Sequence, residues 1–295
     1  LGRVARKATV IIGARRAGKS TFMLQVARRL VDEGVSRQNL VHVNFFDDRL
    51  YPLRQAGCAP VLEAVWQLYP EKKDREKMYF FFDEIQTVPG WEAFVERLLR
   101  TEKCEVFLTG SSAHLLSREL ATAMRGRALS WELFPYSFRE FLQAVGVPVP
   151  ANLTTKARLA ILKAFEQYWE SGGFPEVTGQ PRGVRIRIHH EYLLAMLFRD
   201  IVERHDSSHP RAVTELAHRL ADNVGSLYSF NKLTAQLKDA GHRIPKTAVA
   251  QILEWFEDAF FLFSVRLYDA SWARSNEPEE GLLRRPRDEI GRAHV

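Results

Sequence analysis

The chain changes its hydrophobic rhythm halfway along. In the first half, short apolar runs recur: ATVII (8–12), LVHVNFF (40–46), MYFFF (78–82), EVFLTG (105–110) and ALSWELF (128–134). Each is short for a helix and apolar on consecutive positions, the mark of strands buried on both faces. Segments with helix-like patterning separate them: Thr21–Glu33, Pro60–Leu68, Trp91–Arg100 and Ala113–Ala121. This alternation predicts an α/β fold, a parallel sheet with helices on both faces.

The second half has no comparable strand series. LTTKARLAILKAFEQYWESGG predicts a helix stopped by a glycine pair. RIRIHHEYLLAMLFRDIVERH carries apolar residues at helical spacing, and PRAVTELAHRLADNVG begins with a proline suited to a first helical turn. Two further helices, Ser229–Ala240 and Lys246–Asp258, flank a glycine-containing turn and precede an apolar, strand-like run, a winged-helix-like pattern. The stiff stretch VGVPVP marks a connector near Pro135–Pro150. The expected organisation is an α/β domain over 1–140, a mostly helical, winged-helix-like region over 151–270 and a separate tail over 271–295.

Composition narrows this only a little. The 295 residues are 46% hydrophobic, enough for large cores, and the formal charge of +6 permits nucleic-acid or acidic partners without demanding them. Cys58 and Cys104 stand apart without metal-ligand spacing, usage that fits a reducing cytoplasm. No apolar run approaches the roughly 18–20 residues needed to span a bilayer, so no membrane partner is expected.

The chemistry concentrates at strand ends. Gly13-Ala14-Arg15-Arg16-Ala17-Gly18-Lys19-Ser20-Thr21 fits G-x-x-x-x-G-K-[ST] and lies between a predicted strand and a predicted helix, the context that motif requires. Glycines let the backbone curl so that its N–H groups face phosphate oxygens, and the following helix adds its positive end. Lys19 is expected to pair with the β- and γ-phosphates of ATP and the Ser20 hydroxyl to ligate Mg2+. MYFFFDEIQ ends a buried strand in Asp83, a candidate Mg2+ holder, and Glu84, a candidate general base for water. EVFLTGSS places Thr109, Gly110, Ser111 and Ser112 at another strand tip, with Ser111 the candidate beside the water and γ-phosphate or else a helix cap. MRGR offers Arg125 or Arg127 as an arginine finger, in cis or from a neighbouring copy, or simply as a basic turn.

Taken together, the loop, FFFDEIQ, FLTGSSAHLLS and MRGRALSWELFPYSFREFL resemble the prokaryotic AAA-like P-loop ATPases that carry a domain of unknown function, DUF4143, after the ATPase core. The likeness continues through YWESGGFPEV and EYLLAMLFRDIVERH to about Ser271. It implies an ATP-hydrolysing switch or motor that uses ATP and Mg2+, and it favours Arg127 over Arg125 for the finger. Ala14 and Ser20 replace the proline and threonine usual in that family. The alternative function is a nucleotide-gated regulatory or DNA-associated protein with little turnover.

The remaining signals are weaker. On Lys246–Asp258, Lys246 and Gln251 could face DNA, but Glu254, Glu257 and Asp258 share the helix. RGVRIRIHH is basic enough to touch phosphate backbones or to be a solvated face, and the histidines 189, 190, 205 and 209 read as surface or helix-end residues. The tail reads differently again. EIGRAHV (289–295) resembles a translated adapter oligonucleotide, and NEPEEGLLRRP (276–286), shifted by one base, becomes roughly TNPKKVYCVDP. Members of the resembled family continue with a similar Asn-Pro-Lys-Lys segment into a nuclease-like domain. The expectation is therefore a frame lost near 271–276 and a missing C-terminal domain. Residues 274–295 hold five arginines and five acids, so the basic balance belongs to the rest of the chain.

Overall fold

The computed structural model describes residues 7–110, 126–266 and 280–284, with the side chains of 266 and 280–284 left aside. The chain divides into two compact units: one holds residues up to Gly13 and Gly18–Leu133, and the other holds Ala14–Ala17 and the chain from Phe134 onward.

In the first unit, strands β1 (Ala8–Ile12), β2 (Leu40–Asn44), β3 (Met78–Asp83), β4 (Cys104–Gly110) and β5 (Ala128–Glu132) form one sheet in the order β2-β3-β4-β1-β5. Every pairing is parallel. Helices α1 (Lys19–Asp32), α2 (Tyr51–Ala56), α3 (Ala59–Leu68) and α4 (Trp91–Thr101) connect them. β2 and β5 end two residues short of their apolar runs, and α1 begins two residues before its expected start. The segment 113–121, expected as a helix, lies outside the described residues.

The unbroken aromatic run of β3 explains why the sheet needs cover on both faces. All six residues of the strand are buried, and period two sends them to opposite sides. Phe81 stacks on Phe107 at 4.8 Å and joins Tyr79 and Ile11 against Met23 and Leu30 of α1. Phe80 and Phe82 form a second aromatic set, in which Phe82 meets Phe45 and Phe94. α4 presents Trp91, Phe94, Val95, Leu98 and Leu99 as one buried stripe at helical spacing.

The second unit is mostly helical: α5 (Phe138–Ala144), α6 (Thr155–Ser171), α7 (Arg182–Ala195), α8 (Pro210–Asp222), α9 (Phe230–Asp239) and α10 (Lys246–Asp258). Ser137 opens α5 with a reciprocal capping box to Glu140. RIRIHHEYLLAMLFRDIVERH is helical, as its spacing predicts, and α7 passes at Met196 into a π-helical stretch running to Glu203. π-Helical segments are rare and cluster at functional sites.

The core of this unit gathers Leu197 and Ile201 of that stretch with Val213 and Leu216 of α8, Leu237 of α9 and Phe256 of α10. The short strands β6 (Leu227–Ser229), β7 (Phe263–Arg266) and β8 (Glu280–Arg284) make an antiparallel sheet in the order β6-β8-β7. The glycine pair that stops α6 also allows a close approach: a Cβ on Gly173 would sit 2.2 Å from the Tyr136 carbonyl oxygen. Tyr136 N–H and the Gly173 carbonyl bond at 2.7 Å there.

Candidate nucleotide site

β1 runs directly into the glycine-framed loop. Gly13 has φ 150°, and a Cβ there would lie 2.1 Å from the backbone oxygen of Leu133. No side chain fits without moving the neighbouring strand end, so glycine is dictated by the close approach of two backbones. Gly18, with φ 103°, is the N-cap of α1. No acidic residue occupies the first turn of this 14-residue helix, so its positive end is not neutralised locally. Lys19 is buried, and its Nζ donates to the Gly13 carbonyl at 3.0 Å, bending the side chain back across the loop. Ser20 and Thr21 follow on the first turn and are exposed.

Two strands away, about 10 Å at ordinary strand spacing, β3 ends on the same sheet edge. The register fixes this: Ile11 pairs with Thr109 and Phe82 with Leu108. Asp83 is 3% exposed, and the Thr109 hydroxyl donates to its Oδ1. The same hydroxyl oxygen accepts the Glu84 N–H at 3.1 Å. One fully buried threonine thus fixes both acidic residues. Glu84 has φ 55°, a left-handed conformation costing a non-glycine residue about 1–2 kcal/mol. The Gln86 amide donates to the Glu84 carboxylate, and the Thr87 hydroxyl to its carbonyl. Strain held by surrounding bonds is a feature of functional positions.

Among the strand-tip polar residues, sequence reasoning chose Ser111. That residue lies outside the described ones, and the group that touches Asp83 and Glu84 is Thr109. The register of a polar residue at the end of an otherwise apolar strand, opposite Asp83, was the available signal.

The loop tip Ala14–Ala17 clusters with the second unit. Arg16 adopts φ 65° and is 3.6 Å from Glu176, with its guanidinium 5.9 Å from the centre of the Tyr192 ring. Tyr192 donates to the same Glu176 carboxylate; burial, and then that carboxylate, push its phenol above the ordinary range. Arg15 makes a bidentate pair with Asp200 in the π-helical stretch: Nε to Oδ2 at 2.8 Å and Nη2 to Oδ1 at 2.6 Å. Nothing in the sequence motif pointed to Asp200.

Arg127 is not brought to the strand ends that carry Lys19 and Asp83. It directly precedes β5, and its carbonyl accepts from Ala8 N–H at the start of β1. β1 and β5 run parallel, so Arg127 stands at the opposite sheet edge, about 16 Å away along five residues of strand. Its guanidinium is 3.9 Å from Glu96. The finger expected in cis therefore has no support from its position. Arg125 lies outside the described residues.

The cysteines and two of the histidines sit in ordinary structural surroundings. Burial raises the thiols of Cys58 and Cys104 to about 12, with Glu92 and Glu102 adding to the effect. His189 pairs through Nε2 with the Ser171 carbonyl at 2.9 Å, and His205 stacks on Trp255 at 4.5 Å. No helix among the described residues is long and apolar enough to cross a membrane.

A five-stranded parallel sheet with β1 between β4 and β5, and a glycine-framed Lys-Ser loop after β1, defines a P-loop nucleotide-binding fold. Residues 5–142 match the AAA domain family, and this part of the chain is an AAA-type P-loop domain. Residues 162–278 match a domain of unknown function, DUF8612, rather than the expected DUF4143. The chain is 32% identical over 261 residues to the uncharacterized protein MJ1544 of Methanocaldococcus jannaschii, covering 88% of this chain and 56% of that protein. It is 31% identical over 264 residues to an uncharacterized protein of Haemophilus influenzae, covering 88% and 62%. The chain thus spans less than two thirds of either relative. Among solved structures, the Walker-type ATPase PABY2304 of Pyrococcus abyssi has a similar fold, with TM-score 0.52 and 15% identity over 87% of this chain and 85% of that one.

Proposed function

We propose that the chain binds Mg·ATP and hydrolyses it with water activated by Glu84, as a switch or motor of the AAA-like class. The observation that carries this reading is the pairing of Asp83 and Glu84 on one threonine, at the same sheet edge as the Lys19 loop. The donor set suits a hard cation: a buried carboxylate at Asp83 and the Ser20 hydroxyl on the first turn of α1. Mg2+, when bound, would neutralise phosphate charge and polarise the terminal phosphoryl group.

The chain's own residues have distinct parts. The backbone N–H groups of the loop and the N-terminal end of α1 receive phosphate oxygens, and Lys19 turns its ammonium from the Gly13 carbonyl toward them. Thr109 holds Asp83 oriented and keeps the Glu84 backbone in its strained turn. The Glu84 carboxylate accepts a proton from the attacking water, and Gln86 restrains that carboxylate until water arrives. Arg127, away from its own loop, would act on the nucleotide of a second copy, which makes a homo-oligomer part of this reading.

Phosphate release with ATP and Mg2+, compared with ATP and a chelator, tests the proposal. Turnover that requires the metal and is lost in Lys19→Ala supports it. Metal-independent turnover, or turnover surviving Lys19→Ala, contradicts it.

The alternative of a nucleotide-gated DNA-associated protein draws on the winged-helix-like succession of α9, α10 and β7. The second helix supports it poorly: Val249, Ile252, Leu253 and Phe256 are buried, and its exposed residues include Glu254 beside Gln251. Binding to duplex DNA that weakens steeply with salt would favour the alternative.

A further inference from the structure

α6 buries one face and leaves a second apolar face outside. Ala164, Tyr168 and Ser171 are buried, and Ile161 joins the cluster that Ala164 and Tyr168 form with Phe141 and Leu142 of α5. At 3.6 residues per turn, Leu159, Leu162, Phe165 and Trp169 lie roughly 135° round the helix from that face. These four are between 44% and 66% exposed. Phe165 meets Phe138 edge to face, with ring centres 5.3 Å apart, and Trp169 lies against Phe165 at 6.2 Å. The four side chains thus form a continuous stripe, and contiguous apolar surface of this kind marks an interaction site. Both α5 and α6 belong to the second unit.

We propose that this stripe pairs α6 antiparallel with α6 of a second copy of the chain, about a two-fold axis level with Ala164. The stripe is its own complement in that arrangement. Leu159 comes level with Trp169 of the other copy, because both are five residues from Ala164. Leu162 with Phe165, and Lys163 with Glu166, come level to within one residue, about 1.5 Å. Lys163 and Glu166 border the stripe on the same edge, and the two-fold axis sets that edge against its own copy, so the ammonium–carboxylate contact is made twice. Arg158, beside Leu159, comes over the Trp169 indole of the other copy, a cation–π contact. Glu170 is instead 3.5 Å from Arg185 of its own chain. A parallel pair in register would put Lys163 beside Lys163 and Glu166 beside Glu166, like charges that repel. Charge therefore selects the antiparallel pair, and a self-complementary patch closes at two copies. From Leu159 to Trp169 the stripe runs about 15 Å, short of a standard interface, so association in the micromolar range is expected. The contact needs no nucleotide and goes beyond the ATPase reading.

The test is sedimentation equilibrium of the whole chain without nucleotide, from about 1 to 100 µM. The unaltered chain is expected to pass from monomer to dimer across that range. Leu162→Glu places an unpaired carboxylate in the seam of each copy and is expected to weaken the dimer about a hundredfold or more. Lys163→Glu alone and Glu166→Lys alone each set like charges together and are expected to weaken it about tenfold, while the two changes combined restore it to within about threefold. Should Leu162→Glu fail to fold, the charge exchange at Lys163 and Glu166 decides the matter. A chain that stays monomeric throughout, or one that grows past the dimer, overturns the inference. So does a dimer indifferent to Leu162→Glu, or a double charge exchange that does not restore association. A monomeric chain that binds phosphatidylcholine vesicles, and loses them with Leu162→Glu, overturns it in favour of a lipid surface. None of these outcomes bears on ATP turnover.

Discussion

The two ends of the phosphate-type loop obey different rules. At its base, Gly13 and Gly18 are fixed by backbone geometry, and Lys19 reaches back to the loop's own carbonyl. At its tip, Arg15 and Arg16 are held by side chains more than a hundred residues away, Asp200 and Glu176. The base is local and spelled by a motif. The tip is non-local, and only the folded chain shows what its charges meet. The chemistry is expected at the base and the neighbouring strand tips.

Substitutions at the base should break function outright. Gly13→Ala forces a Cβ to 2.1 Å from Leu133 oxygen, and we expect nucleotide binding to be undetectable by calorimetry. Lys19→Ala should lower ATP affinity by about a hundredfold or more, from the loss of charge-assisted hydrogen bonds. A base that tolerated either change would erase the contrast with the tip.

The sheet beneath the site sets the next effect. Phe81→Ala removes a buried ring stacked on Phe107, and should cost about 3–5 kcal/mol of stability, read as a lower denaturant midpoint. Thr109→Val keeps the volume and deletes the hydroxyl that bonds Asp83 and Glu84. Leaving the buried Asp83 carboxylate and the half-buried Glu84 N–H unmet, it should cost about 1–3 kcal/mol and lower turnover more than ATP affinity.

The effect least tied to function belongs to the thiols. With Cys58 and Cys104 raised to about 12, the thiolate fraction at pH 8 is about one in ten thousand. Labelling of the native chain by a disulfide reagent should be far slower than that of the unfolded chain. The sign follows from burial: the folded state favours the neutral thiol, so reactivity rises with pH toward 12.

Much of the first unit was legible in the sequence because its strands are short, apolar on both faces and punctuated by glycine. The motifs singled out Gly13, Gly18, Lys19, Asp83 and Glu84, and the parallel register sets the loop after β1 and the end of β3 at the same sheet edge. Thr109 was overlooked in favour of Ser111 because a hydroxyl at a strand tip has no periodic signature; only the pairing of β3 with β4 selects it. The side of the sheet taken by Arg127 was also missed, although a residue preceding a parallel strand must sit opposite the loops that follow such strands. In the second unit, helical spacing found α8 and α10, whose buried residues form clear stripes. It could not foresee the π-helical turn at Met196–Glu203 or the burial of Asp200, because a charged residue on a helix pattern reads as solvated until its partner is known. α6 shows the reverse case: Leu159, Leu162, Phe165 and Trp169 are apolar yet exposed.

In the proposed mechanism Glu84 activates water and is distinct from the groups that hold nucleotide. The most direct test of that role is Glu84→Gln, a near-isosteric change, with phosphate release and equilibrium ATP binding measured on the same preparation. The predicted result is turnover reduced about a hundredfold or more with ATP affinity within about twofold of the unaltered chain. Turnover that persists, or binding that falls in parallel with turnover, would contradict it.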